Sequence, residues 1–124
     1  MKTVLIVEDN EKNMKLARDV LQAKGYATLE AVNGEDGVQL ALAHLPDLVL
    51  MDIQLPDING FEAFARIRAD SDAARIPVAA FTASVTVGDR SRITDAGFDA
   101  FIGKPVNLKE FLATVQRLTE GGRG

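Results

Sequence analysis

The sequence predicts an α/β fold in which helices cover both faces of one parallel sheet. Short apolar runs alternate with amphipathic stretches five times along the 124 residues. The first and third runs are unbroken, which is typical of parallel strands buried on both faces. No linker or low-complexity block divides the chain, and its length suits one hydrophobic core. We therefore expect one domain over residues 1–120 and a short flexible tail over 121–124.

The apolar runs define the predicted strands, because each run is too short to be a complete helix. Right-handed crossovers between consecutive parallel strands then place the helices on both faces of the sheet. The five runs are Val4–Val7, Ala27–Ala31, Leu48–Met51, Val78–Phe81 and Ala100–Ile102.

The helices are predicted from apolar residues at helical spacing. The first has four such residues, the second is entered through Asn33-Gly34, and the third ends at the polar stretch 70–72. The fourth, at about residues 88–96, is mostly polar. Only Ile93 and Ala96 are expected to face inward there.

The fifth helix has the clearest apolar stripe. Asn107 and Glu110 form its predicted capping pair, and Gly121 and Gly122 are expected to end it. The residues of the stripe are Leu108, Phe111, Leu112, Val115 and Leu118.

Composition excludes several classes of function. The net charge is −4 and the pI is about 4.9, which argues against nucleic acid as a partner because phosphate backbones need a basic surface. The absence of cysteine excludes disulfides and thiolate chemistry. No apolar run approaches the roughly 20 residues that span a bilayer, so no membrane association is expected. No cleavage site follows the first apolar run, and we expect a cytoplasmic protein.

Polar side chains follow four of the five predicted strands. Glu8 and Asp9 follow the first, Asp52 the third, Thr82 the fourth and Lys104 the fifth. Ligands of open α/β sheets bind beyond the carboxyl ends of the strands, so these side chains are expected to meet at one edge.

This set of groups predicts a divalent metal and a phosphoryl group as ligands. Three close carboxylates repel one another, and a hard cation relieves that repulsion. Mg²⁺ favours oxygen ligands and typically uses one or two carboxylates together with a phosphate oxygen. Lys104 can meet another phosphoryl oxygen as a point charge, and Thr82 can donate a hydroxyl.

Each of these residues also has a purely structural interpretation. Glu8, Asp9 and Asn10 could simply cap the first helix, since acidic and amide side chains favour helix N-termini. Asp52 could be an exposed acid at the end of a strand. Thr82 and Lys104 carry little information alone, and it is their joint placement at four strand ends that favours a chemical site.

These residues lie in stretches that resemble the receiver domains of two-component response regulators, and the resemblance covers essentially the whole chain. The fold implied is the flavodoxin-like (βα)5 three-layer sandwich with strand order 2-1-3-4-5. The stretch 9–16 and the absence of an effector domain look most similar to DivK-type single-domain response regulators. The matching stretches are VLIVEDN (Val4–Asn10), LVLMDIQLPDINGFE (Leu48–Glu62), PVAAFTA (Pro77–Ala83) and FIGKP (Phe101–Pro105).

The resemblance implies a role for each matching residue. Asp52 would be the phosphoacceptor, and Mg²⁺, with Mn²⁺ as a substitute, would be bound by Asp9, Asp52 and the backbone carbonyl of Gln54. Glu8 would act on the metal through water. Lys104 and Thr82 would contact the phosphoryl group, Pro105 would follow a cis peptide bond, and Gln54 and Ser84 would tune hydrolysis.

The same resemblance implies a phosphorelay mechanism. The carboxylate of Asp52 would accept the phosphoryl group from the phosphohistidine of a histidine kinase or a histidine phosphotransfer protein. Thr82 would then move towards it, Phe101 would fill the space, and the fourth helix, fifth strand and fifth helix would present a changed surface to a target protein. The commonest residue at position 101 is Tyr. Since Phe has no hydroxyl to leave unsatisfied, we expect its inward rotamer to be populated even without phosphate. A monomer or weak dimer is expected.

The sequence argues against three rival functions. A phosphatase with an aspartyl-phosphate intermediate would need a second Asp where Gln54 stands, and usually a cap domain. A nucleotide or flavin binder would need a Gly-rich or Ser/Thr-rich loop after the first strand, where the acidic residues stand. A degenerate receiver would be expected to have lost its acidic pair or Lys104. Apart from its own phosphorylation and slow dephosphorylation, no enzymatic activity is expected.

Overall fold

The structure is a computed structural model that describes residues 1–83 and 86–121. Its strands match the predicted runs to within one residue at each end. They are β1 (Thr3–Val7), β2 (Ala27–Ala31), β3 (Leu48–Met51), β4 (Val78–Thr82) and β5 (Ala100–Gly103). All pair in parallel, and the order across the sheet is β2-β1-β3-β4-β5, which confirms the predicted topology.

Five α-helices connect and follow the strands, with a short 3₁₀ turn at Ala73–Arg75 that the sequence analysis did not predict. Within the described ranges, no helix is both long enough and apolar enough to cross a bilayer. The helices are α1 (Glu11–Ala23), α2 (Gly34–His44), α3 (Gly60–Ala69), α4 (Val87–Ala96) and α5 (Leu108–Gly121).

The core lies in two layers, one on each face of the sheet. In β1, Val4 and Ile6 face the layer formed by α1 and α5, while Leu5 and Val7 face the layer formed by α2, α3 and α4. All four of these side chains are fully buried, because alternate residues of a strand point to opposite faces and both faces are covered.

Two predicted core positions are exposed in the structure. Ala96 lies on the solvent side of α4, and Ile93 is the only buried residue of that helix. Gly97 ends the helix in a left-handed conformation, with φ of 101°, and Phe98 after it takes the inward position instead. Leu108 is 48% exposed because it is the first residue of α5, before the helix lies fully against the sheet.

The ends of α5 agree only in part with the prediction. The Asn107 side chain accepts a hydrogen bond from the backbone N–H of Glu110 at 3.1 Å, which is one half of the predicted capping pair. The helix includes Gly121, whereas Gly122 and the rest of the predicted tail lie outside the described residues.

An ion pair on the α3 side of the sheet was not predicted. Arg68 donates to Asp99 at 2.7 Å and to the carbonyl of Ile76 at 2.6 Å, and the same Asp99 oxygen accepts the N–H of Val78 at 2.8 Å. Both charged side chains are largely buried. The pair therefore joins α3 to the start of β4 and to the turn before β5.

Candidate functional site

Backbone pairing brings the residues that follow β1 and β3 side by side. Val7 and Met51 are partners in the sheet, the N–H of Asp52 donates to the carbonyl of Val7 at 3.0 Å, and the N–H of Glu8 donates to Ala31 at 2.9 Å. The strand order reverses here, because the chain leaves β1 towards β2 on one side and reaches β3 on the other. Such a reversal opens a crevice beyond the carboxyl ends of the strands.

Three carboxylates share this crevice. One oxygen from each of Glu8, Asp9 and Asp52 can be chosen so that all three lie within 4.8 Å of one another. Glu8 and Asp52 are buried and Asp9 is exposed. The cluster of three carboxylates is therefore buried at Glu8 and Asp52 and open to solvent at Asp9.

Lys104 extends from the end of β5 into the same crevice. Its ammonium group donates to Glu8 and also to Asp52, at 3.0 Å in the second case. The ammonium also lies 4.8 Å from the centre of the Phe81 ring, a favourable position for a cation. The peptide bond between Lys104 and Pro105 is cis.

The environment of Glu8 makes ionisation of its carboxyl group less favourable than in water. Burial raises the pKa of Glu8 to about 7; Lys104 opposes this rise, while the neighbouring Asp52 adds to it. A second positive charge in the crevice would lower the pKa of Glu8 and so favour its ionised form.

Both oxygens of Asp52 have hydrogen-bond donors. Oδ2 accepts from Lys104, and Oδ1 accepts from the backbone N–H of Gln54 at 3.0 Å. Gln54 itself is exposed at the rim. The Asp52 carboxylate is thus oriented by one residue from the end of β5 and one from the loop that follows β3.

Two further predicted residues, Thr82 and Phe101, lie in the neighbouring strands β4 and β5. Thr82 is buried at the end of β4, and its carbonyl accepts the N–H of Lys104 at 3.1 Å. Phe101 is half-buried against the α2–α4 side of the core, with the guanidinium of Arg90 4.8 Å from its ring centre. It is not wholly exposed, and the expected inward rotamer population stays a prediction. Ser84 lies outside the described residues.

The residues of the crevice fit a bound Mg²⁺. Carboxylate oxygens are the donors that this ion prefers, and the solvent-facing side of Asp9 leaves room for the waters that it retains. Two buried carboxylates and one exposed carboxylate also outnumber the single ammonium of Lys104. The crevice therefore has a net negative charge that a divalent cation can balance.

The sequence analysis missed Asp57, which lies in the loop after β3. Its carboxylate accepts the backbone N–H groups of Gly34 at 2.7 Å and Glu35 at 2.8 Å, at the start of α2. The turn sequence Pro56-Asp57 was a signal for a loop. Its partners 22 and 23 residues away could not be identified from the sequence.

Comparison with known proteins agrees with this geometry. The family model of the response regulator receiver domain matches residues 4–116. The polar-differentiation response regulator DivK of Brucella anthropi is 46% identical over 115 residues, which cover 93% of this chain and 94% of that protein.

Solved structures support the same conclusion and include metal-bound forms. The receiver domain of a sensor histidine kinase from Pseudomonas aeruginosa PAO1, with a magnesium ion coordinated in its active site cleft, superposes with a TM-score of 0.89 and 32% identity over 96% of this chain and 98% of that one. The Mn²⁺-bound response regulator Rcp1 superposes with a TM-score of 0.78 and 26% identity over 95% of this chain and 91% of that one.

Proposed function

The chain belongs to the response regulator receiver domain family, and we propose that it is a stand-alone switch controlled by a phosphoryl group on Asp52. The observation that carries this proposal is the convergence of three carboxylates within 4.8 Å beside an ammonium 3.0 Å from the Asp52 oxygen. The proposed domain covers residues 1–120.

The proposed roles follow from position and charge. Asp9, Asp52 and the carbonyl of Gln54 would hold the metal, with Glu8 acting through water. When bound, Mg²⁺ supplies the positive charge that neutralises the phosphoryl oxygens. Lys104 would supply a second positive charge to the same oxygens.

The proposed reaction is a direct phosphoryl transfer. A carboxylate oxygen of Asp52 forms a bond to phosphorus, while the bond from phosphorus to the imidazole nitrogen of the donor breaks and its electron pair stays on that nitrogen. Positioning and charge stabilisation provide most of the acceleration in such transfers. The chain would thus catalyse its own phosphorylation and, with water as the nucleophile, its own slow dephosphorylation, at a rate tuned by Gln54 and Ser84.

The proposed output is a change in protein contacts. The phosphoryl group brings close to two negative charges into the crevice. Thr82 would move to donate to it, and Phe101 would turn further inward as its contact with Arg90 changes. The altered surface of α4, β5 and α5 would then bind a different partner, as a shift between existing arrangements.

The proposed partners are proteins of two-component signalling. The donor would be a histidine kinase or a histidine phosphotransfer protein, and the target would be a protein that reads the α4–β5–α5 surface. The proposed compartment is the cytoplasm, where ATP is available to form the donor phosphohistidine. The proposed state is a monomer or weak dimer.

One experiment tests the acceptor assignment. The chain is incubated with acetyl phosphate and Mg²⁺, and its intact mass is measured. Wild-type protein is expected to gain one phosphoryl group, while Asp52→Ala gains none and the distant control Asp47→Ala gains one. Uptake by Asp52→Ala, or no uptake by the wild type, would refute the assignment.

A further inference from the structure

The loop between β3 and α3 is closed tightly upon itself. The N–H of Gly60 donates to the carbonyl of Ile53 at 2.9 Å, which joins the two ends of the loop. A side chain at Gly60 would place its Cβ 2.4 Å from the Asp52 carbonyl oxygen and 2.7 Å from the Cα of Ile53. The start of α3 therefore lies directly against the backbone that carries Asp52.

Asp57, in the same loop, forms hydrogen bonds with the start of α2. One carboxylate oxygen accepts the N–H of Gly34 and the other accepts the N–H of Glu35. Asn33 accepts the N–H of Asp36 at 2.8 Å, so the first three N–H groups of α2 all have acceptors. A carboxylate is favourable at this position because the N-terminus of a helix carries partial positive charge.

The contact at the loop tip is close as well as polar. A Cβ at Gly34 would come within 2.4 Å of Ile58 Cγ1 and 3.0 Å of the Ile58 carbonyl oxygen. The loop residue Ile58 therefore packs against the first turn of α2, beside the two hydrogen bonds made by Asp57. Together these contacts hold the loop against a helix that is itself packed on the sheet.

The same loop carries the group that orients the phosphoacceptor. The N–H of Gln54 donates to Asp52 Oδ1, two residues along the chain. The position of that N–H depends on the path of the loop, and the path depends on the closure at Gly60 and on the attachment at Asp57.

We infer that Asp57 is a positioning residue for the carboxylate site: by attaching the loop to α2, it holds Gln54, and through Gln54 the Asp52 carboxylate, in the geometry that binds the divalent ion. This inference rests on the proposed function. Asp57 touches none of the site carboxylates in the contacts described above, and it acts only through the loop. If Asp57 were only a helix cap, its loss would lower stability without changing the site.

Metal affinity of the unphosphorylated protein separates these two roles. The Mg²⁺ dissociation constant is measured by isothermal titration calorimetry for wild type, Asp57→Asn, Asp57→Ala and Asp70→Ala. Asp57→Asn replaces one acceptor oxygen and removes one of the two bonds, while Asp57→Ala removes both. Asp70 is a matched control, because its carboxylate accepts the N–H groups of Asp72 and Ala73, each at 2.9 Å, after the far end of α3.

Asp57→Ala is expected to weaken Mg²⁺ binding on the order of tenfold, as loss of supporting groups around metal ligands does. Asp57→Asn should weaken it less, and Asp70→Ala should leave it unchanged even if its melting temperature falls. Wild-type affinity in both Asp57 variants, or an equal loss in Asp70→Ala, would overturn the inference. Failure of the wild type to accept a phosphoryl group would instead refute the proposed function, while the metal affinities would still decide the role of Asp57.

Discussion

Lys104 contributes one positive charge to a crevice that holds two buried carboxylates. Its ammonium donates to both Glu8 and Asp52, so each buried acid has a cation beside it. Removing one partner of such a group usually costs several kcal/mol, because the remaining charges stay buried and uncompensated. Its ammonium also lies close to the position that a divalent ion would occupy, and the two positive charges compete for the same oxygens.

Replacement of Lys104 by Met is therefore expected to have opposite effects on two measurements. Mg²⁺ should bind more tightly, because a competing positive charge is removed. Phosphorylation by acetyl phosphate should become slower by roughly a hundredfold, because one charge on the phosphoryl oxygens is lost. Calorimetry and the rate of mass gain measure the two effects. Weaker Mg²⁺ binding in the variant would contradict the proposed position of the ammonium.

Two glycines at helix starts test how closely the elements around the site approach one another. Gly60→Ala should destabilise the protein by about 1–3 kcal/mol, because its Cβ would overlap backbone atoms at Asp52 and Ile53. Gly88 lies in the first turn of α4, and among the residues that the structure describes no atom outside its own helix turn lies within 4 Å of its Cβ position. Gly88→Ala should stabilise the protein by about 0.5–1 kcal/mol, because alanine reduces the entropy of the unfolded chain.

Urea unfolding of both glycine variants measures these changes. The phosphorylation rate of Gly60→Ala should fall together with its stability, since the shifted backbone carries Asp52, the proposed acceptor. A Gly60→Ala protein as stable as Gly88→Ala would show that α3 does not press against the end of β3 as the structure has it.

The attachment of the β3–α3 loop to α2 should weaken in acid. Partial desolvation raises the pKa of Asp57, but the backbone N–H groups of Glu35 and Gly34 outweigh it and hold the pKa below its ordinary value of 3.8. The folded state therefore favours the ionised form, and the contribution of Asp57 to stability is present above pH 3.8 and lost as the pH falls through the lowered value.

Unfolding free energies of wild type and Asp57→Asn should consequently differ more at pH 6 than at pH 3. The comparison is made by urea unfolding at both pH values, with the Asp70→Ala control alongside. An equal difference at both pH values would mean that the charge of Asp57 does not contribute to the stability of the folded state.

The whole molecule links folding to metal binding, because only the folded chain brings the ends of β1 and β3 together. Mg²⁺ at a hundredfold excess over its dissociation constant should raise the free energy of unfolding by about 2.7 kcal/mol. Asp9→Asn should lose most of this increase. With the chelator, the same variant should be at least as stable as wild type, since the loss of the Asp9 charge relieves repulsion within the carboxylate cluster.

Thermal unfolding with Mg²⁺ and with a chelator measures both effects. Glu11→Gln is the matched control, because Glu11 is an acidic residue at the start of α1 outside the carboxylate cluster. If Mg²⁺ stabilised Asp9→Asn against unfolding as much as it stabilises wild type, the ion would not be bound by Asp9.

The strands could be predicted from the sequence because they depend on local pattern, whereas their order in the sheet was implied only by the resemblance to receiver domains. Uninterrupted apolar runs such as Leu48–Met51 indicate buried parallel strands, and the polar residue after each run then falls at the same edge. Glu8, Asp52 and Lys104 could be predicted for that reason. The inward residues of α4 were harder to predict, because that helix has a single buried side chain and its end is decided by Gly97.

Contacts between distant segments could not be predicted in the same way. Asp57 has no local signal for its attachment to α2, and Arg68 lies 31 residues from its partner Asp99. Such pairs follow from how the helices and loops pack in three dimensions. The contacts that support the site therefore follow from tertiary packing. The residues of the site itself can be identified from their positions at the ends of the strands.

The crystal structure of the chain with Mg²⁺ and beryllofluoride, a mimic of the phosphoryl group, would show the proposed site in its loaded form. We expect the beryllofluoride on a carboxylate oxygen of Asp52, the metal on Asp9, Asp52 and the Gln54 carbonyl, and the Lys104 ammonium on a fluorine. A metal bound away from these carboxylates, or beryllofluoride on any residue other than Asp52, would contradict the proposed function.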